Sequence, residues 1–145
     1  MKVEIKLQPD LKFPYAVIYT GELTTEVHRA AAVLAEERAD LVPAEENDKI
    51  VMLHPEEIYL VRVENEKTII YTAKKQYQSN RRLYELEGML GRNFMRISKS
   101  AIMNLQLLDY AAPGLGGVMV LVLKNGLRDY VSRKYLPDFK RYLGL

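Results

Sequence analysis

Residues 93–104 read "NFMRISKSAIMN", and the fold turns on how this segment is divided. Arg96, Ser98, Lys99 and Ser100 stand between apolar residues, and the chain then runs straight into a further apolar stretch. Apolar flanks around a short basic and hydroxyl centre suit an ordinary connection between two strands. The same centre suits a surface loop that something anionic touches. Both readings make the neighbourhood β-rich, so the question passes to the flanking sequence.

After residue 48 the pattern is almost all strand. "KIVML" (49–53), "EIYLVRV" (57–63), "KTIIYTA" (67–73), "SAIMNLQLLDY" (100–110), "GVMVLVLK" (117–124) and "LRDYV" (127–131) are rich in β-branched and aromatic residues. Asn125-Gly126 predicts a tight hairpin with positive φ at both central positions, and "VENEK" (63–67) predicts a looser one. One helix interrupts. "SNRRLYELEGMLG" sets Leu83, Leu86 and Leu90 on one face, with Ser79 or Asn80 at its start and Gly91 as its stop. A short turn, "LPDFKRYL", closes the chain with Pro137 in its first turn.

Before residue 48 the pattern differs. "KVEIKL" alternates Val3, Ile5 and Leu7 against Lys2, Glu4 and Lys6, and "YAVIYT" (15–20) predicts a second strand. "ELTTEVHRAAAVLAEER" then changes period: Leu23, Val27, Ala30, Ala31 and Leu34 share a helical face that Thr24 or Thr25 caps. Residues 39–48, "ADLVPAEEND", have the composition of a linker. The expected division is a β-β-α segment over 1–47, serving dimerisation or signal input, ahead of a mainly β domain over 48–145.

Composition narrows the function. A chain of 145 residues with 48% hydrophobic side chains builds one core-bearing domain with a small appendage. No apolar run is long enough to span a bilayer, and the alternating, partly acidic N-terminus is unlike a secretory signal. The absence of cysteine excludes disulfides and thiolate metal sites and fits a cytoplasmic protein. Net charge is +2, but it is unevenly divided. Residues 1–47 hold five basic against nine acidic side chains, a balance of −4, whereas residues 48–145 hold sixteen against ten, a balance of +6. Such asymmetry implies an anion-facing surface on the basic part, although a solvated basic face without a partner has the same charge.

Enzyme signatures are missing: no phosphate-binding Gly-rich loop, no G-x-S-x-G and no H-E-x-x-H. His28 and His54 lie on different units, which argues against a metal site. Glu56 and Glu57 point to opposite faces of a predicted strand, and "GLGG" (114–117) reads as a flexible connection. No catalytic residue, metal or cofactor is expected. Two stretches do share a pattern. "NFMRISKS" and "YVSRKYLPDFK" (130–140) each place hydroxyl and basic residues at a strand end. Arginine suits bidentate reading of guanine edges, whereas lysine and serine commonly hold phosphate oxygens.

The strand pair "IYLVRVENEKTIIYTA", the helix "LYELEGML", the basic "NFMRISKS", the "AIMNL" strand with Asn104, the "KNG" hairpin and the closing "VSRKY" together resemble the LytTR-type DNA-binding domain of bacterial transcription regulators. The resemblance covers residues 49–145. It implies an elongated, mainly β fold with little helix, binding double-stranded DNA at promoter repeats through loops that enter successive major grooves. Carried over by residue, it makes Lys99 and Arg133 the base-reading side chains, with Lys67 at a hairpin tip as a third. Arg96, Ser100, Ser132 and Lys134 become backbone contacts or loop supports. Many members carry His where this chain has Ser98, so any contact by that imidazole is lost or replaced. The chain resembles the stand-alone branch of the family. That implies a homodimer on DNA and a small membrane protein as regulatory partner.

Plainer roles stay open. Arg96 pairs with Glu87 inside the fold or contacts DNA, and Asn104 suits a buried polar residue satisfying backbone groups. Tyr130 and Tyr135 suit half-buried packing, and Phe94, Leu83 and Leu86 suit the core. The alternative function is a β-rich protein-interaction or RNA-binding module, for which Tyr71 and Tyr77 are the candidate stacking residues.

Overall fold

Asn65 and Glu66 both adopt left-handed backbone conformations, with φ of 50° and 66°. A two-residue turn of that kind matches the right-handed twist of its flanking strands. It joins β3 (Leu60–Glu64) to β4 (Lys67–Tyr71) with Glu64 opposite Lys67, a tighter hairpin than the sequence suggests. In this computed structural model, which describes residues 1–12, 14–35 and 41–145, the same device recurs at Asn47-Asp48, with φ of 48° and 64°. It joins β1 (Val42–Glu46) to β2 (Lys49–Leu53). The described part of the expected linker is therefore mostly strand: Val42 and Ala44 point into the core while Pro43 sits between them.

The remaining elements of this unit are β5 (Gln76–Ser79), α2 (Leu83–Leu90), β6 (Phe94–Ser98), β7 (Ala101–Asn104), β8 (Leu108–Pro113), β9 (Met119–Leu123), β10 (Arg128–Val131) and α3 (Leu136–Tyr142). They form a seven-stranded sheet in the order β2-β1-β5-β4-β3-β7-β6 and a three-stranded sheet in the order β10-β9-β8, every pairing antiparallel. The expectation of a mainly β fold with short helices holds.

Strands at the centre of the larger sheet are apolar at both parities because both faces are covered. Leu60, Ile69, Ala101 and Met103 pack in one cluster with Leu121, Leu123 and Val131 of the smaller sheet and Phe139 of α3. Val61, Ile70 and Ile102 pack in the other, with Leu83, Leu86 and Leu90 of α2 and with Val42 and Leu53. Gly91, at φ 89°, ends α2 as its sequence implies.

The expected strand over 100–110 divides in two. Asn104 accepts a hydrogen bond from the Gln106 amide at 3.0 Å, a single 3₁₀ turn follows over Leu105–Leu107, and the chain leaves β7 for β8 in the other sheet. At Asn125-Gly126 the hairpin forms, but only Gly126 has positive φ, because the connection is a three-residue loop with the Gly126 amide bonded to Leu123 O at 2.8 Å.

Residues Met1–Glu37 form a separate unit. Its helix α1 (Thr25–Ala35) is capped by the Thr24 hydroxyl, which accepts from the Val27 amide at 3.3 Å. The strands expected at 2–7 and 15–20 do not form. Val3, Ile5, Leu7, Tyr15, Val17 and Tyr19 keep their alternation but stay exposed, and an isolated two-stranded ribbon has too little burial to hold itself.

Candidate nucleic-acid interface

The opening segment is both of the things its sequence allows. β6 and β7 pair with a register shift between Arg96 and Ser98, and Lys99-Ser100 is the two-residue connection between them. The bulge re-aims the strand end. Ser98 is buried, and its hydroxyl accepts the Ser100 amide at 3.2 Å, leaving Lys99 and Ser100 exposed. Arg96 takes the internal role: Nη2 lies 3.3 Å from a Glu87 carboxylate oxygen, and Nη1 donates to Lys99 O at 2.9 Å. It holds the loop from beneath, with its Nε buried and unpaired.

Three connections that are distant in sequence meet at this end of the unit. The Val63 amide donates to Ser100 O at 2.8 Å, tying the β3–β4 hairpin to the β6–β7 connection. The Ser132 amide donates to Ile97 O at 2.9 Å, tying in the segment after β10. Lys67, Lys99 and Arg133 are exposed on these three connections, and their side chains make no hydrogen bond or ion pair among the described residues. Ser132 O accepts the Tyr135 and Leu136 amides at the start of α3, so Ser132 supports its loop through the backbone. Lys134 is exposed, its ammonium 5.4 Å from the Tyr135 ring centre, a cation–π contact within its own segment.

One cluster behind this surface was not visible in the sequence. Arg62 on β3 pairs with Glu64, donates to Arg128 O at 3.2 Å and reaches Asp129 at 3.4 Å, bridging the two sheets. Its guanidinium lies 4.8 Å over the Tyr71 ring, whose hydroxyl donates to Glu64 at 2.7 Å. Partial burial alone would raise the Glu64 carboxyl, but the Tyr71 hydrogen bond and the Arg62 bond and charge outweigh it and leave it below the usual carboxylate range. Burial, then the bond to Glu64, raises the Tyr71 hydroxyl. A carboxylate beside the cationic loops is thus engaged internally. The only sequence signal was a run of charge on an apolar strand, which a solvated edge also produces.

Other expectations resolve individually. Asn104 is buried, donating from Nδ2 to Ile58 O at 2.9 Å. Tyr71 is buried and Tyr77 packs against the α2 cluster, so neither offers a stacking face for single-stranded RNA. Tyr135 is half-buried as expected, but Tyr130 is exposed; Phe94 is partly buried. Among the described residues no cluster of His, Asp and Glu could hold a metal ion, and no helix is long and apolar enough to cross a membrane.

Comparison with known proteins agrees with this geometry. The family model described as "LytTr DNA-binding domain" matches residues 48–144. The chain is 30% identical over 109 residues to the sensory transduction protein LytT of Enterococcus faecalis, covering 74% of this chain and 45% of that protein. It is 31% identical over 97 residues to an uncharacterised HTH-type transcriptional regulator of Staphylococcus aureus, covering 67% of this chain and 66% of the relative. The chain thus matches less than two thirds of the length of either curated relative. A LytTr DNA-binding domain of a putative methyl-accepting/DNA response regulator from Bacillus cereus superposes with a TM-score of 0.69 at 22% identity, over 73% of this chain and 98% of that one. No helix–turn–helix occurs in residues 41–145, where α2 and α3 are separated by β6 to β10.

Proposed function

The chain belongs to the LytTr DNA-binding domain family, a family of DNA-binding domains and not of enzymes, and from that premise we propose that residues 48–145 recognise duplex DNA by sequence and control bacterial transcription through inserted loops. The convergence of Lys67, Lys99 and Arg133 at one end of the paired sheets carries this reading. Each is a cation without an internal partner: Lys67 opens β4 beside a two-residue turn, Lys99 lies in the β6–β7 turn, and Arg133 lies on the short segment between β10 and α3. Arg133 and Lys99 contact base edges in successive major grooves, and Lys67 does so from the β3–β4 hairpin. Ser100, Ser132 and Lys134 hold phosphates or loops, and Arg96 fixes the Lys99 connection. A good bidentate contact discriminates bases by about 1–3 kcal/mol, while phosphate contacts make affinity fall steeply with salt.

The test is fluorescence anisotropy on a duplex that the full chain selects from a random pool, against a scrambled duplex, at two salt concentrations. Lys99→Ala and Arg133→Ala should each weaken the selected duplex by about tenfold or more and leave the scrambled one little changed. Equal, weak binding to every duplex, with the mutants matching wild type, would overturn the reading.

The acidic unit Met1–Glu37 is proposed to join two copies on repeated DNA sites in the cytoplasm. Supporting this are the exposed Val33 and Leu34 on α1 and the alternating apolar residues before it. A small membrane protein as restraining partner rests on the family resemblance. Light scattering of the full chain and of a form lacking residues 1–37 decides the dimer: an unchanged oligomeric state rejects it.

A further inference from the structure

Arg133 does not leave its loop into open solvent directly. The connection Gly114-Leu115-Gly116-Gly117 joins β8 to β9, and the pairs Pro113↔Met119 and Met119↔Val131 set it beside residues 132–134. Its base is fixed. The Gly114 amide donates to Val118 O at 2.9 Å, and a Cβ at Gly114 would come within 2.9 Å of Val120 Cγ2. Its far end passes under the arginine, where a Cβ at Gly117 would lie 3.2 Å from Arg133 Cδ and 3.6 Å from Cγ. Gly117 has φ of 78° and Gly116 has φ of 69°, yet a Cβ at Gly116 would meet nothing within 4 Å.

We infer that Gly117 is a positioning residue for Arg133: the arginine stem lies on the bare backbone at Gly117, and the β8–β9 connection thereby aims the guanidinium at the base edge. The inference rests on Arg133 as a base-reading side chain. A methyl at Gly117 displaces the stem by a few tenths of an ångström at Cδ, and the displacement grows toward the guanidinium. Bidentate hydrogen bonding is sensitive to such shifts, since productive geometry is held to within about 0.5 Å. A sequence pattern that reads as mere flexibility therefore acts as a seat.

The two neighbouring glycines supply their own control. Gly117→Ala and Gly116→Ala place a methyl on left-handed backbone of similar φ, but only the first touches Arg133. Asn variants at both positions, which tolerate positive φ better, serve if an alanine variant melts too low to assay. All are made in the full chain and tested by anisotropy on the wild-type-selected and scrambled duplexes, alone and with Arg133→Ala. Gly117→Ala should weaken the selected duplex by about three- to tenfold relative to Gly116→Ala, part of the value of one bidentate contact. It should add nothing in the Arg133→Ala background, which a general loss of stability would not reproduce. If Arg133→Ala loses selectivity but Gly117→Ala matches Gly116→Ala, the positioning role is wrong and the DNA reading stands. If Arg133→Ala binds as wild type does, the base-reading premise fails and the inference falls with it.

Discussion

Asn104 sits where the chain passes from one sheet to the other, and replacing it with alanine removes two hydrogen bonds at once, one buried and one part-buried. Nδ2 donates to Ile58 O at 2.9 Å, and Oδ1 accepts from the Gln106 amide at 3.0 Å. Asn104 is 3% exposed and Ile58 is fully buried, so water does not readily reach the Ile58 carbonyl. Each lost bond removes about 0.5–1.5 kcal/mol, and a buried carbonyl left unpaired adds about 1–3 kcal/mol. Asn104→Ala should therefore destabilise by about 2–6 kcal/mol, lowering the melting temperature by about 10 °C or more. Urea unfolding followed by far-UV circular dichroism measures this directly. Asn104→Asp sharpens the test, because it keeps the acceptor for Gln106 and loses the donor for Ile58 at neutral pH. Its buried carboxyl faces a carbonyl, so its folded-state pKa is raised and the protonated form can donate. Stability of that variant should be greatest below the ordinary carboxylate pKa and fall as pH rises through the raised one. An Asn104→Ala loss below about 1 kcal/mol would show that the bonds to Ile58 and Gln106 do not hold this switch between sheets.

Glu64 is held below its ordinary pKa, so its contribution is present above the unfolded value of 4.5 and lost as pH falls through the folded one. The stability gap between wild type and Glu64→Gln should be flat from neutrality to about pH 5 and shrink on further acidification; a gap independent of pH rules out the Arg62–Tyr71–Glu64 account. Arg96→Ala should speed hydrogen exchange at the Ser100 amide by freeing the Lys99 carbonyl, while the Asn65 amide at the other hairpin tip exchanges as before; unchanged exchange at Ser100 would mean Arg96 is no support. Leu86→Ala, at a fully buried site on α2, should cost about 2–5 kcal/mol in urea unfolding and leave duplex affinity intact where the protein is folded. A loss of affinity without a loss of stability would put α2 in the interface.

Much of this molecule is legible from local chemistry. Gly91 ends a helix, Thr24 caps one, and Asn104 is the buried polar residue its mid-strand position implies. Local chemistry misleads where tertiary contacts decide. β1 looks like a linker because Pro43 and its acids suppress strand propensity, yet Val42 and Ala44 alternate inward; β5 engages β1 only at Glu45–Gln78, so Pro43 interrupts little of that ladder. The lead strands at 2–7 and 15–20 fail for the opposite reason, a strong alternation with nothing to bury it. Of the proposed interface residues, Lys99 and Arg133 lie in basic and hydroxyl clusters that the sequence displays, whereas Lys67 rests on the family resemblance. Their arrangement is not legible there, because Val63–Ser100 and Ile97–Ser132 are long-range hydrogen bonds and Gly117 carries no side chain to notice.

The bonds that gather the three connections have a consequence for the life history of the chain. Lys67, Lys99 and Arg133 come from three separate parts of the sequence, and they become neighbours only when β3, β6 and β10 have all docked. Phe139, fully buried in the core cluster beneath them, follows all three in the sequence. A chain cut before Phe139 keeps nearly all the positive charge but loses part of the packing that holds the three connections together. Charge alone attracts polyanions without discrimination, so on the proposed reading any selectivity among them depends on the fully docked fold.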